Sequence, residues 1–458
     1  MLEGLADHCA ETMAAYGCAS VSVAVAHLDR VVFAEAYGLA DVAEGRAATS
    51  ETAYLIASVT KPITATAVCV AADRGLLNLE EPVEKYLPGF RLPRYRDYSA
   101  PTLRQVLQHR AGFASHYDFA YAASPAAVST TWQSIERYGT LYREPGSRFE
   151  YSNLGYGILD TVLEAATGQS AGDFVGDQVF GPLGLTSCHL GPSYREAGRE
   201  ALRYSADGRP YPVYDTTHRG ASLAWGTAAD LAMFGLSQAG GRTVLKPETA
   251  AAMRTALPVN AHHGYGLGWF VSRGGPQPVV SHSGGMGGVS ALLAVVPDLR
   301  LSVCVLTNHT GAETRTSVVN HVMTQLVPDF TPASLPPSVS PECAVAVPQG
   351  TWEGHVHTDT GAVPLVLRVG PDAQVEVGLD GGEAVRADFV TASDDWDLRV
   401  SAPLQIPTTD ARVNSPQLVL ELNARHGRLI GAARAMKNGE GDGWLGNCLS
   451  HWCEVAPV

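Results

Sequence analysis

At 458 residues the chain is too long for one ordinary hydrophobic core, and its length suggests two or three domains. Hydrophobic residues make up 45% and charged residues only 17%, against about 25% in typical soluble chains, which argues against a disordered or coiled-coil protein. A net charge of −14 with no basic patch disfavours nucleic acid and anionic membranes as partners.

Only four of the 32 basic residues are lysines (Lys61, Lys85, Lys246 and Lys437), so each lysine calls for a reason. The first residues carry Glu3 and Asp7 where a secretory signal would place Lys or Arg. Apolar runs such as 63–72 and 291–296 fall well short of the ~20 residues that span a bilayer. Eight cysteines are scattered without C-x-x-C spacing, Cys448 and Cys453 forming the one close pair, a pattern of buried thiols rather than a disulfide framework. The expected location is the cytoplasm.

In chain order, 21–26 and 31–37 read as two strands of a hairpin turned at Asp29. A helix is predicted from Ser58 to about residue 76, with Pro62 in its first turn and Gly75 closing it. Helices follow at 103–108, 154–166 (ended by Gly168) and 171–180 (capped by Ser170). Strands return at 265–272, 278–281, 289–296 and 301–306, giving an α+β arrangement whose sheet joins both ends of the segment. A Pro, Ser and Thr-rich linker is expected at 331–348, between a first domain of 1–330 and a second of 349–458. The second shows short alternating runs at 365–369, 374–379, 418–422 and 428–433, as in a small antiparallel barrel or sandwich.

Ser58-Val59-Thr60-Lys61 is the one S-x-x-K of the chain. Residues three apart on a helix share a face, so the amine would lie beside the hydroxyl. A buried Lys readily loses its proton and could take that of Ser58, while the helix amino terminus favours a developing oxyanion. A helix cap with an exposed Lys explains the same spacing, and chance alone gives such a match about a quarter of the time. Tyr151-Ser152-Asn153 is the one Y-x-N, placed after the Pro145-Gly146 turn: a phenol beside Lys can relay protons, and an amide can hold a carbonyl or the Lys head. A core Tyr and an Asn cap are the plainer alternative. His-x-Gly begins at His189, His218, His262, His282 and His309, and of these only His282-Ser283-Gly284-Gly285 follows an apolar run and leads into a glycine-rich strand end that a substrate could approach.

Ser58-x-x-Lys61, Tyr151-x-Asn153 and His282-x-Gly284, in this order and at these separations, resemble the three motifs of the penicillin-recognising serine hydrolases. These include class C β-lactamases, DD-peptidases, family VIII esterases, D-aminopeptidases, transacylases and penicillin-binding-protein-type thioesterases. LIASVTKPITA, TLRQVLQHRAGF, EPGSRFEYSNLGYGILDTVLEAATG, FGPLGL, YGLGW and HSGGMGG extend the resemblance over roughly residues 18–325. It implies a β-lactamase-like sheet flanked by helices and, beyond the linker, a lipocalin-like barrel. It implies Ser58 as nucleophile, Lys61 as its base, Tyr151 as proton relay and Asn153 as a holder of the acyl carbonyl or amide. His282 would stand where β-lactamases carry the Lys of a K-T-G triad, beside Gly284, with the backbone N–H groups of Ser58 and Gly285 as the oxyanion hole. Histidine at 282 removes a permanent cation and points away from β-lactamases towards esterases, D-aminopeptidases and thioesterase cyclases.

The expected activity is acyl transfer from an ester, thioester or amide to an amine or water, without a cofactor, in natural-product biosynthesis. The donor would be a small molecule or a carrier-protein-bound thioester. The alternatives are an esterase or D-amino-acid peptidase, and a non-catalytic acyl or peptide sensor of the same fold. Tyr117, Asp118, Trp225 and Trp269 are candidate cleft-wall residues, with core packing at least as good a reading for the two tryptophans. His355, His357 and Asp359 share one strand face, where a solvated face is the better reading than a metal site.

Overall fold

A computed structural model describes residues 2–87, 89–122, 129–273, 277–336, 345, 347–411, 415–441 and 443–458, with the backbone alone at 342–343. Helix α1 (Leu5–Tyr16) precedes a hairpin of β1 (Ser20–His27) and β2 (Arg30–Asp41), which is followed by the short β3 (Arg46–Ala47). Leu28, rather than Asp29, takes the left-handed conformation at the hairpin turn, with φ of 62°.

Helices α2 (Thr60–Asp73), α3 (Asn153–Thr167), α4 (Arg219–Ser222) and α5 (Ala228–Leu236) come next. The chain then returns through β4 (Leu257–Pro258), β5 (His263–Tyr265), β6 (Phe270–Ser272), β7 (Val280–Met286), β8 (Val289–Val296) and β9 (Leu301–Thr307), and on into α6 (Glu313–Leu326). The nine strands form one antiparallel sheet in the order β3-β2-β1-β9-β8-β7-β6-β5-β4. Val21 of β1 lies opposite Thr307 of β9, so the sheet does join both ends of the segment.

Alternate side chains of the central strands face opposite cores. Val21, Val23, Val25, Val303 and Val305 meet Leu5 and Cys9 of α1 and Val318 and Val322 of α6. Ala24, Cys304, Leu293 and Val295 face the helical block with Phe234. Both faces being covered, β8 is buried along its whole length and reads as an unbroken apolar run. Each fully buried Val or Leu there contributes about 1.5–3 kcal/mol.

Two predicted elements divide. The run 265–272 folds back on itself, β5 pairing with β6 around a turn in which Gly266 N–H bonds Trp269 O. Gly268 makes the turn possible: its φ is +83°, and a Cβ would fall 2.7 Å from that of Ala65. The predicted helix 171–180 is α-helical only over Ala171–Val175 and widens into a π turn at Gly176–Phe180.

The carboxy-terminal sheet comprises β10 (Glu342–Cys343), β11 (Gly350–Thr358), β12 (Gly361–Val369), β13 (Val375–Leu379), β14 (Val385–Arg386), β15 (Phe389–Ser393), β16 (Leu398–Ala402), β17 (Gln417–Arg425), β18 (Arg428–Met436) and β19 (Cys448–Pro457). These ten strands are antiparallel, in the order β10-β15-β16-β17-β18-β19-β11-β12-β13-β14. Among the described residues its end strands β10 and β14 each have one neighbour, so the sheet is a curled half-barrel and not a closed one. Of the expected linker 331–348, residues 337–341, 344 and 346 lie outside the described residues, while β10 within it pairs with β15. No helix among the described residues is long and apolar enough to cross a membrane.

Candidate active site

Ser58 sits in a single 3₁₀ turn, Ala57–Val59, immediately before α2. The turn is tight: Ala57 has φ of 47°, and β7 passes so close that a Cβ on Gly284 would lie 2.2 Å from Ile56 O and 3.0 Å from Ser58 N. Only glycine fits there, which sets the next residue, Gly285, at the rim of the cavity that Ser58 also borders.

One turn along α2, Lys61 is 0% exposed. Its Nζ lies 3.0 Å from Ser58 Oγ, 2.7 Å from Asn153 Oδ1 and 3.1 Å from Ala221 O. No carboxylate joins this group of contacts, and burial holds the Lys61 pKa well below that of a free lysine. A neutral amine has two N–H groups and one lone pair. The two carbonyl oxygens can only accept, so they take both N–H groups and leave the lone pair facing the Ser58 hydroxyl.

Asn153 is the first residue of α3, but the helix cap is Ser152, whose Oγ accepts Gly155 N–H at 3.4 Å. Asn153 is thereby free to reach sideways, its Nδ2 donating to His116 O at 3.0 Å. The Tyr151 hydroxyl is hydrogen-bonded to Ser58, and burial raises its pKa. The Lys61 Nζ sits 4.6 Å from the Tyr151 ring centroid. His109 also packs against that ring, with centroids 4.2 Å apart.

His282 is buried with both ring nitrogens engaged. Nδ1–H donates to Ser283 O at 2.7 Å, which leaves Nε2 to accept the Tyr265 hydroxyl at 3.1 Å. Burial, and then the nearness of Lys61, lowers its pKa to about 3, so it is a neutral imidazole where a K-T-G triad would place a cation.

These residues open onto a cavity of about 770 Å³. Ser58, Tyr151, His282 and Gly285 line its floor, with Lys61 buried behind Ser58, and Trp396, Glu421 and Arg434 of the carboxy-terminal region line a wall. Around the wall runs a network of ion pairs, buried except at Arg399. Arg143 Nε meets Glu150 at 2.9 Å, Arg434 pairs with Glu421 and lies 3.6 Å from Glu150, and Arg399 lies 3.2 Å from Glu421. The Arg143 guanidinium stacks 4.4 Å from the Trp396 ring centroid.

Some placements differ from expectation. Trp269 is fully buried against Phe234 and Trp225 packs in a second core, its Nε1–H donating to Gly191 O, so neither borders the cavity. Tyr117 exchanges backbone hydrogen bonds with Cys448, and Asp118 is enclosed by His116, Thr217 and His218. Asp359 pairs with Arg137 at 3.3 Å, and His357 packs on Tyr95.

Three contributors went unread in the sequence. His109 lies in the HRAGF segment already noted and assigned no part. The Ala221 carbonyl carries no side-chain signal at all. Arg315, from the first turn of α6, borders the cavity with its guanidinium donating to Ala291 O and the Thr316 hydroxyl and its Nε buried without a partner. Burial lowers its pKa to about 10, Glu313 opposing this.

Among known proteins, residues 5–326 match the family described as Beta-lactamase. Penicillin-binding protein 4* of Bacillus subtilis (strain 168) is 26% identical over 307 residues, covering 61% of this chain and 65% of that protein. The match thus spans just under two thirds of that relative. The crystal structure of SurE with D-Leu superposes with a TM-score of 0.65 at 19% identity, covering 98% of this chain and 99% of SurE. EstCE1, described as a hydrolase with promiscuous acyltransferase activity, gives a TM-score of 0.60 at 23% identity over 70% of this chain and 97% of its own. The family match takes in the nine-stranded sheet and every residue of the cleft floor, and the chain belongs to the beta-lactamase family, within the serine β-lactamase and penicillin-binding-protein-like superfamily.

Proposed function

We propose that the protein is a serine acyl-enzyme catalyst that moves an acyl group from an ester, thioester or amide to an amine, or to water, in natural-product biosynthesis. The observation that carries this reading is the three-point hold on the Lys61 amine. As Ser58 Oγ attacks the acyl carbon, its proton passes to the Lys61 lone pair, and the C=O electron pair moves onto the carbonyl oxygen. The backbone N–H groups of Ser58 and Gly285 face that oxyanion. Collapse breaks the bond to the leaving group, which takes a proton through the Tyr151 hydroxyl. Burial keeps Tyr151 a phenol, so it hands protons on and does not begin as a phenolate. An amine or water then attacks the acyl-enzyme, and the same groups return the protons.

Arg315, with no carboxylate on its guanidinium, supports a substrate bearing a carboxylate near the oxyanion strand. That SurE was solved with D-Leu, a free amino acid, agrees with such a substrate. With His282 neutral, a cation here comes from an arginine such as Arg315. Hydrolysis is the second reading: polar side chains such as Ser147, Asn260 and Thr310 also line the cavity, and EstCE1 is described as a hydrolase. We also propose the division into 1–330, 331–348 and 349–458, a lipocalin-like relationship for the carboxy-terminal sheet, and a cytoplasmic location with a small-molecule or carrier-bound thioester donor.

The test is covalent labelling. A fluorophosphonate or β-lactam probe should give an adduct that mass spectrometry locates on Ser58, and folded protein left unlabelled there sinks the reading. Ester and thioester panels with and without amines then separate transfer from hydrolysis. Arg315→Met should raise KM for carboxylate-bearing substrates about tenfold or more and leave neutral esters unchanged.

A further inference from the structure

The aim of the Lys61 lone pair depends on two carbonyl oxygens, one on the Asn153 side chain and one on the Ala221 backbone. Each belongs to a mobile kind of structure, an amide rotor and a four-residue helical turn, and each must be held from behind. The Asn153 amide is held by His116 O at 3.0 Å. The Ala221 carbonyl is held by the position of the segment Thr217–Ser222.

Asp118 touches both supports. It lies two residues beyond His116 on the same loop, with its carboxylate 3.8 Å from His116 Nε2. Across the cleft between segments it accepts Thr217 N–H at 2.9 Å and the Thr217 hydroxyl at 2.6 Å. Ser134 donates to it at 3.2 Å. The backbone N–H of Asp118 donates to His218 Nε2 at 3.4 Å, which places the ring proton on Nδ1, facing Ser222 Oγ at 3.3 Å, one residue past Ala221. The far end of the turn is pinned independently: Gly220 N–H donates to Asp160 at 2.7 Å, and Thr64 donates to Gly220 O at 2.8 Å. Gly157 lets the turn seat on α3, since a Cβ there would lie 3.1 Å from Thr217 O.

We propose that Asp118 is a positioning residue for the acyl-transfer step: it ties the His116 loop to the Thr217–Ser222 turn and so fixes both carbonyls that orient the Lys61 amine. It borders neither Ser58 nor the cavity and acts only through these segments. Burial works against its charge, but His116, His218 and Thr217 hold its carboxyl below the usual carboxylate range, so it grips Thr217 as an anion. This inference rests on the acyl-enzyme reading above.

The experiment compares full-length wild type with Asp118→Ala, Asp118→Asn and Thr217→Val, using an activated ester and counting active sites with a fluorophosphonate. Misaiming a base by a fraction of an ångström lowers the chemical step without weakening binding. Asp118→Ala should lower the limiting acylation rate per active site about 100-fold and change the half-saturating concentration less than threefold. Asp118→Asn keeps an acceptor for Thr217 N–H and should recover to within about tenfold of wild type. Thr217→Val, which loses one hydrogen bond, should fall about threefold to tenfold.

A limiting rate per active site that is unchanged in Asp118→Ala overturns the proposal. So does a raised half-saturating concentration at unchanged rate, or an Asn variant no better than Ala. If the Ala variant does not fold, wild-type rates in both Asp118→Asn and Thr217→Val overturn it. An unlabelled wild type sinks the acyl-enzyme reading itself, whereas a labelled wild type with an unaffected Asp118→Ala sinks this inference alone.

Discussion

The floor and the wall of the cleft each bury a basic side chain, and they treat it in opposite ways. Lys61, buried just behind the floor, meets two carbonyls and a hydroxyl and, among the described residues, no carboxylate, so burial pushes it towards the neutral amine. For Arg434, in the wall, burial also opposes the charge, but Glu421 and Glu150 hold its pKa up and it remains a guanidinium. The same desolvation thus favours a neutral amine in one place and leaves a paired guanidinium in the other, and the nature of the neighbouring oxygens decides which. On the proposed reading, chemistry belongs to the floor and cohesion to the wall.

The sharpest way to break that division is Ser58→Ala, which should remove labelling and lower turnover at least a thousandfold, about 4 kcal/mol of barrier, with an unchanged thermal midpoint. Appreciable residual turnover would place the nucleophile elsewhere. Lys61→Met should cost nearly as much in acylation rate. In the wild type, the rate should fall as pH drops through the depressed Lys61 pKa, because the ammonium has no lone pair; an acid limb near that of free lysine would contradict a neutral base.

Arg434→Met should act on the wall in the opposite manner. It strands Glu421 and Glu150 without their cation and should destabilise the protein by about 3–5 kcal/mol in urea unfolding, while the acylation rate per folded molecule stays within a few-fold. His282 sets a smaller, pH-dependent effect. Its folded pKa of about 3 lies below the ordinary 6.5, so between these values the unfolded chain binds the extra proton and stability rises with pH. His282→Asn should flatten that part of the profile, measured by urea unfolding at pH 4 and pH 6.5. Smallest of all, Lys85→Met breaks an exposed pair with Glu81 at 3.0 Å and should shift stability by under ~0.5 kcal/mol.

The floor was legible in the sequence to a degree that the wall was not. A helix places Ser58 and Lys61 one turn apart by geometry alone, so their spacing carries their meeting. The central strands show as apolar runs because both faces are covered. Arg143 and Glu150 share one loop and Glu421 and Arg434 sit on the neighbouring strands β17 and β18, but loop and strands meet only in three dimensions, and no local pattern announces the network. Helix α1 was missed because only Leu5, Cys9 and Thr12 are buried along it, too sparse a stripe to stand out. The 265–272 run was misjudged because its apolar content was weighed ahead of the Gly-Leu-Gly that reverses it. Asp118 was singled out for its position near the motifs, but as a wall of the cleft. Of its true surroundings, His116 is two residues away, but Thr217 and His218 lie some hundred positions on.

The paired backbone hydrogen bonds between Tyr117 and Cys448, at 3.1 and 2.7 Å, set an order of events for a chain emerging from the ribosome. The loop that steadies Asn153 is made early, and its partner strand β19 long after it. A nascent chain carrying Ser58, Lys61 and Tyr151 would hold these three side chains before the loop behind them has found its support. On the acyl-enzyme reading proposed above, full reactivity would arrive only once β19 has paired with that loop.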